Sequence, residues 1–306
     1  MKLIKGLRQI KTPIRGSVVT IGVFDGVHIG HRKIIRSVVE RARRLKLKSV
    51  VLTFDPHPMK VLRPSTRTPS LMSLGHRIRL ITELGADVLA VAKFSKAFAK
   101  LSAEKFARDV LVGRLRAREV YVSEGFYFGK GAGADKEELK NIGRALGFKV
   151  NVVAPIKAGR QTVSSSLIRM AVAKGDLKLA AKFLGRPVSI LGTVVRGVRL
   201  ARELGYPTAN VNPHHEVIPP GGVYAVRVRY KGMFFKGVLN IGTRPTFFSP
   251  RDREPSIEVH IFDFHKHIYG NDLEILFVKK LREEVKFKDR EELVRQIRDD
   301  AAIAAA

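Results

Sequence analysis

No cysteine occurs in the 306 residues. Disulfides, zinc–thiolate centres, cysteine-ligated iron–sulfur clusters and cysteine nucleophiles are thereby excluded. Long apolar runs are missing too: nothing approaches the roughly 18 consecutive apolar residues of a membrane-crossing helix. The opening Met1-Lys-Leu-Ile-Lys-Gly lacks the apolar core and small-residue cleavage pattern of a secretory signal. A cytoplasmic protein without a membrane partner is expected. Acidic residues are scarce, 28 against 57 Lys and Arg, for a formal charge of +29. The first 50 residues already carry 13 basic and two acidic side chains. Three readings compete: a solvated basic surface, focusing of polyanionic nucleotides, and nucleic-acid binding. Neither zinc-finger spacing nor an aromatic RNA-binding motif accompanies the charge, so no obligate nucleic-acid partner is expected. Self-association stays open.

What is present is ordinary for a folded protein, with 45% hydrophobic and 28% charged residues. The length suits two domains. Strand-like runs at Val18–Phe24, Val50–Phe54, Val88–Val91, Val120–Ser123 and Val150–Val153 are β-branched and apolar. Between the first two, Ile34, Ile35, Val38, Val39, Ala42 and Leu45 recur at helical spacing on one face. That alternation predicts an α/β domain, a mostly parallel sheet with helices on both faces. Its ligands belong beyond the carboxyl ends of the strands. Ser164–Gly185 reads as two short helices broken at Gly175-Asp176. Beyond Pro187 the pattern changes to short strands with Gly and Pro turns: Val188–Val195, Gly222–Tyr230, Phe234–Ile241, Ser256–Phe262 and Leu273–Val278. Five or six such strands predict a small antiparallel barrel. The segment Asn212–Pro220 reads as a polar loop before the barrel's second strand. A last helix starts near Asp289 or Arg290 and aligns Leu293, Ile297 and Ala301.

Gly22-Val-Phe-Asp25-Gly26-Val-His28-Ile-Gly30-His31 falls where the first strand meets the first helix. Gly26 and Gly30 let backbone approach a polyphosphate without a Cβ clash. The following helix start offers free N–H groups and a positive dipole end. His28 and His31, three apart, can bind phosphoryl oxygens and stabilise charge on a leaving pyrophosphate. The alternatives are a metal pair or ordinary helix-start histidines. Without nearby paired carboxylates or cysteine, a transition metal is poorly served. A conventional Gly-Lys-Ser/Thr phosphate loop is not indicated.

This pattern resembles the HxGH signature of the nucleotidylyltransferase superfamily. The longer stretch is similar to the N-terminal motif of bacterial bifunctional riboflavin kinase/FMN adenylyltransferases (FAD synthetases). Thr53-Phe-Asp-Pro-His57-Pro, Phe126-Tyr-Phe-Gly-Lys-Gly131, Val163-Ser-Ser-Ser-Leu-Ile-Arg169 and Phe183-Leu-Gly-Arg-Pro187 continue the resemblance in order. It implies a Rossmann-like nucleotidylyltransferase domain over residues 1–186 and a riboflavin kinase barrel with a terminal helix over 187–306. It also implies ATP, riboflavin and FMN as substrates, FAD as product and Mg²⁺ as cofactor. His28 and His31 would be catalytic. Gly22, Phe24, Asp25, Gly30 and His57 would line the nucleotide or flavin, and Ser165, Ser166 and Arg169 would close over the triphosphate. Alone, the serines read as a helix cap, His57 as a loop anchor, and Phe126 and Phe128 as core. Gly125 stands where the family usually has Asp.

In the second half, Leu204-Gly-Tyr-Pro-Thr208-Ala-Asn210 resembles the riboflavin kinase Pro-Thr-Ala-Asn motif. Thr208 and Asn210 offer hard oxygen ligands suited to Mg²⁺; in isolation the tetrapeptide reads as a turn. Gly221-Gly-Val-Tyr-Ala225, Asn240-Ile-Gly-Thr-Arg-Pro-Thr246 and Glu258-Val-His-Ile-Phe-Asp-Phe264 follow in the family's order. The resemblance implies Glu258 as the base toward riboflavin's 5′-hydroxyl, Gly197 and Arg202 at ATP, and Arg282 and Phe287 in a flap over the flavin. Arg282 and Phe287 read equally as fastening the terminal helix to the barrel. Ala201 stands where the family has glycine. Two further readings are a kinase with an impaired adenylyltransferase half and a basic nucleic-acid-binding adaptor.

Overall fold

The computed structural model describes residues 1–10, 14–66, 69–197, 205–214, 217–243 and 255–306, with backbone alone at Thr243 and Pro255. By their internal contacts they form two compact units, Met1–Ser70 with Leu74–Ser165 and Leu71–Ser73 with Ser166–Ala306.

The first unit holds a six-stranded sheet: β1 (Lys2–Lys5), β2 (Ser17–Ile21), β3 (Lys48–Asp55), β4 (Val88–Lys93), β5 (Ala117–Ser123) and β6 (Lys149–Val153). The order is β1-β4-β3-β2-β5-β6 and every pairing is parallel. Both faces of the sheet are covered, which is why its strands are apolar throughout. Val19, Ile21, Val50 and Leu52 enter one core, while Val18 packs on the other face with Val38 and Ala42 of the helix Ile29–Leu45. That helix is fastened to the sheet by Arg41, whose fork bonds Glu119 of β5 at 2.6 to 3.0 Å. From β2 the chain builds outward to one side through β3 and β4, and later to the other through β5 and β6. The exit of β2 is therefore the switch point of the sheet, the usual ligand crevice of such folds.

Some details differ from the sequence reading. β1 was not anticipated; four residues with only Ile4 buried give a weak pattern. β2 stops at Ile21 rather than Phe24, because Phe24 (φ 52°), Gly26 (φ 88°) and Val27 (φ 39°) turn left-handed and end the extended chain. Leu45 is 37% exposed, since the helix ends there and Lys46 turns with φ 56°. A two-residue hairpin, β7 (Lys157–Ala158) with β8 (Gln161–Thr162), follows β6.

In the second unit, the helices Ser165–Ala173 and Leu177–Leu184 lead to a closed barrel. Asp176 caps the second helix by accepting from the Leu179 N–H at 2.9 Å, and Gly185 ends it with φ 67°. The barrel strands are β9 (Ser189–Val195), β10 (Thr208–Pro213), β11 (Gly222–Tyr230), β12 (Met233–Thr243), β13 (Pro255–Ile261) and β14 (Asp272–Arg282). Their cyclic order is β10-β13-β12-β11-β14-β9, antiparallel throughout. Tyr224, Val226, Val228, Leu239, Ile257 and Val259 are among its buried side chains. Tyr224 donates to the Pro220 carbonyl at 2.6 Å, and burial pushes its pKa up to about 12, so it stays a donor.

The Pro-Thr-Ala-Asn motif, which in isolation reads as a turn, enters a strand: β10 begins at Thr208, directly after Pro207. The terminal helix runs Arg290–Ala305, with Asp289 capping the Glu292 N–H at 2.8 Å. Its expected contact face is only half-buried, and the buried residue is Asp300, 3% exposed. Arg282 of β14 grips the Asp300 carboxylate at 2.8 to 3.2 Å and Gln296 adds a bond at 3.2 Å. A buried carboxylate is tolerable there because its charge is paired and its oxygens are bonded.

Candidate active sites

The first site grows from the exit of β2. The Gly22 N–H still bonds Leu52 of β3 at 3.1 Å, and then the chain turns. A Cβ on Gly22 would meet the Phe24 ring at 2.9 Å, so glycine is what lets Phe24 fold inward. Phe24 and Asp25 are almost wholly buried, 2% and 3% exposed. His28 sits at the N-cap of the helix Ile29–Leu45, where its Nδ1 accepts from the His31 N–H at 3.3 Å. An accepting Nδ1 puts the proton of a neutral His28 on Nε2. The His28 and His31 rings stack at 3.5 Å and 18°, and Phe24 meets His31 edge-on at 5.3 Å. The helix start thus carries two imidazoles in one stack beside the backbone N–H groups of its first turn. That arrangement can receive the oxygens of a phosphoryl chain.

Among the contacts that hold this loop, two reach it from distant elements. Ser165 donates its hydroxyl to the Asp25 carbonyl at 2.8 Å, which joins the serine motif to the histidine motif across 140 residues. Ser166 and Arg169 count with the second compact unit. The other contact is Arg77, 5% exposed, which the sequence reading missed. Its Nη1 bonds the Val23 carbonyl at 2.6 Å, the Phe54 carbonyl at 3.2 Å and the Thr53 hydroxyl at 3.2 Å. Arg77 thereby fixes the exits of β2 and β3 together. Burial lowers its pKa from the ordinary arginine value, opposed by the charges of Asp25 and Asp55. The available signal was a basic residue at helical spacing from the apolar Leu80 and Ile81 on the helix Leu74–Thr82.

At the exit of β3, His57 caps the short helix Pro58–Leu62 and its Nδ1 accepts from the Met59 N–H at 3.1 Å. Beyond β5, Phe126 and Phe128 stack at 5.4 Å and 21°. Phe128 is buried against Phe106, whereas Tyr127 between them is 65% exposed. A Cβ on Gly125 would meet nothing within 4 Å, so the position where the family usually has Asp opens on free space.

The second site is a row across three barrel strands. Asn210 of β10 lies opposite Glu258 of β13, which lies opposite Asn240 of β12. Ile257 and Val259 point to the buried side, so Glu258 is carried on the opposite face of β13. Its carboxylate accepts from the Thr208 hydroxyl at 3.3 Å and the Ser256 hydroxyl at 3.4 Å. Asn210 is 7% exposed, and a Cβ on Gly197 would overlap its side-chain amide, so only glycine leaves that amide in place. Thr208, Asn210 and Glu258 present hydroxyl, amide and carboxylate oxygens. Such hard donors fit a magnesium ion that also retains water and phosphate oxygens. Arg282 is engaged with Asp300 and lies 5.5 Å over the Phe287 ring. Arg202 and Ala201 lie outside the described residues.

A family model for FAD synthetase matches residues 10–167, and one for Riboflavin kinase matches residues 184–306. The Bifunctional riboflavin kinase/FMN adenylyltransferase of Haemophilus influenzae is 38% identical over 307 residues, covering 100% of this chain and 99% of that protein. The protein of the same description from Escherichia coli K12 is 37% identical, covering 99% and 97%. That of Bacillus subtilis is 38% identical, covering 95% and 92%. A solved structure described as Macrolide-efflux Protein from Streptococcus pneumoniae superimposes with a TM-score of 0.86 at 31% identity, covering 100% of this chain and 99% of that one. Among the described residues no helix is long and apolar enough to cross a membrane.

Proposed function

The chain belongs to the bacterial bifunctional riboflavin kinase/FMN adenylyltransferase family, and on that premise we propose that its two reactions run at the two constellations described above. The enzyme phosphorylates riboflavin with ATP to FMN and adenylylates FMN with a second ATP to FAD and pyrophosphate. We place the functional division after Arg186. What supports it is the change of sequence character at Pro187 and the start of the riboflavin kinase match at residue 184.

In the adenylylation site, an oxygen of the FMN phosphate attacks the α-phosphorus of ATP and the bond to pyrophosphate breaks. The attacking phosphate is already ionised, so no protein nucleophile is needed. His28 and His31 donate to phosphoryl oxygens as charge moves onto pyrophosphate, at the positive dipole end of the helix. Gly22, Phe24, Asp25 and Gly30 shape that loop. Ser165 secures it through the Asp25 carbonyl. His57 lines the neighbouring strand exit.

In the kinase site, Glu258 accepts the proton of riboflavin's 5′-hydroxyl as that oxygen attacks the γ-phosphorus of ATP. Thr208 and Asn210 would hold Mg²⁺, which offsets phosphate charge when bound. Gly197 borders ATP; Phe287 and Arg282 border the flavin. One observation carries the kinase reading. Gly197, Thr208, Asn210 and Glu258 are spread over 62 positions, yet they meet at one carboxylate and one amide.

Two measurements test this. Purified protein given riboflavin, ATP and Mg²⁺ should yield both FMN and FAD by chromatography; accumulation of FMN without FAD would contradict a working adenylylation site. In Gly197→Ala the new methyl must displace the Asn210 amide. Riboflavin phosphorylation is expected to fall about 100-fold, the cost of misplacing a positioned group by about 1 Å. Conversion of added FMN to FAD should be unchanged. Full kinase activity in this variant would remove Asn210 from the site.

A further inference from the structure

We propose that His260 is a positioning residue of the kinase centre, holding the Pro207 carbonyl and so setting the peptide that presents the Thr208 hydroxyl to Glu258. This rests on the assignment of Thr208 and Glu258 to the kinase reaction. His260 lies two residues beyond Glu258 on the same face of β13, directly opposite Thr208 of β10. Its Nδ1 is 2.9 Å from the Pro207 carbonyl oxygen. A carbonyl can only accept, so Nδ1 carries the proton and donates.

The need for such an anchor follows from the proline. Pro207 has no N–H and its ring fixes φ, so its carbonyl is the one backbone hydrogen-bonding group that residue 207 offers, and it belongs to the peptide that leads into Thr208. The neighbouring hold, Thr208 on Glu258, is 3.3 Å long and belongs to the reacting groups themselves. The His260 ring is in turn confined by Tyr206, edge-on at 5.5 Å, and by Phe262, tilted at 5.5 Å. Residues 206, 207 and 208 are thus each engaged by a side chain of β13.

Three substitutions separate positioning from chemistry. The side-chain N–H of asparagine stands as many bonds from the backbone as Nδ1, whereas that of glutamine stands one bond further. His260→Leu and His260→Gln are expected to lower kcat for FMN formation about 30- to 100-fold, with KM for riboflavin within about threefold. His260→Asn should recover kcat to within about fivefold, with a pH profile that superimposes on the parent's. An asparagine variant no better than glutamine, or a leucine variant with full kcat, overturns the proposal. Should His260→Leu fail to fold, the comparison of asparagine with glutamine decides it. Glu258→Gln is assayed in parallel. If it still forms FMN, the kinase-centre assignment falls. If it does not, while His260→Gln equals the parent, only the role of His260 falls.

Discussion

Glu258→Gln should stop riboflavin phosphorylation while leaving the conversion of added FMN to FAD intact. The substitution keeps the size of the side chain and removes its ability to take a proton. One of the two hydroxyls that now donate to the carboxylate, Thr208 or Ser256, also loses its acceptor. Loss of general-base catalysis costs about 10²- to 10⁴-fold, or about 3 to 5 kcal/mol in the barrier. We expect kcat for FMN formation to fall by about 10³-fold within that range, with the KM of riboflavin little altered. Steady-state kinetics on each substrate separately provide the check. A drop of less than about tenfold would mean that another group takes the proton.

His31→Ala should give the opposite phenotype. Riboflavin is still consumed, FMN accumulates, and FAD formation falls about 10²- to 10³-fold, the usual loss when one preorganised donor to a developing charge is removed. The imidazole also stacks on His28 and meets Phe24 edge-on, so alanine loosens the ring that remains. Equal damage to both reactions in a folded His31→Ala protein would refute separate sites. So would equal damage to both in Glu258→Gln.

Much of the architecture could be read from the chain because the central strands of its parallel sheet are apolar on both faces and the candidate residues of the first site cluster at strand exits. Gly22 through His31 is one continuous stretch, so the role proposed for it needed no tertiary information. The role proposed for Glu258 came only with the family resemblance, carried by the order of its run after Thr208 and Asn210. Other features depend on contacts that no local pattern encodes. Arg77 reads as one more cation in a basic chain until the carbonyls of Val23 and Phe54 are found against it. Asp300 looks like a solvated helix residue, yet it is buried because Arg282 reaches it from β14. β10 was hidden because Pro207 and the polar Thr208, Asn210 and Asn212 suggest a turn, while strand pairing on both sides overrides that local preference. Arg282 illustrates a choice that composition leaves open. In this structure it fastens the terminal helix, and its proposed neighbourhood to flavin must be compatible with that ion pair.

The short strand β1 has a bearing on solubility. An open sheet exposes unpaired amides and carbonyls along its rim, a ready template for another molecule's backbone, whereas a barrel closed on itself has no such rim. β1 covers the flank that β4 would otherwise offer. Its own outer margin carries Lys2 and Lys5, both exposed, at either end of only four residues. A second copy docking there would have to bring like charges together along a strand too short to repay the repulsion, so the outermost element acts as a guard against aggregation.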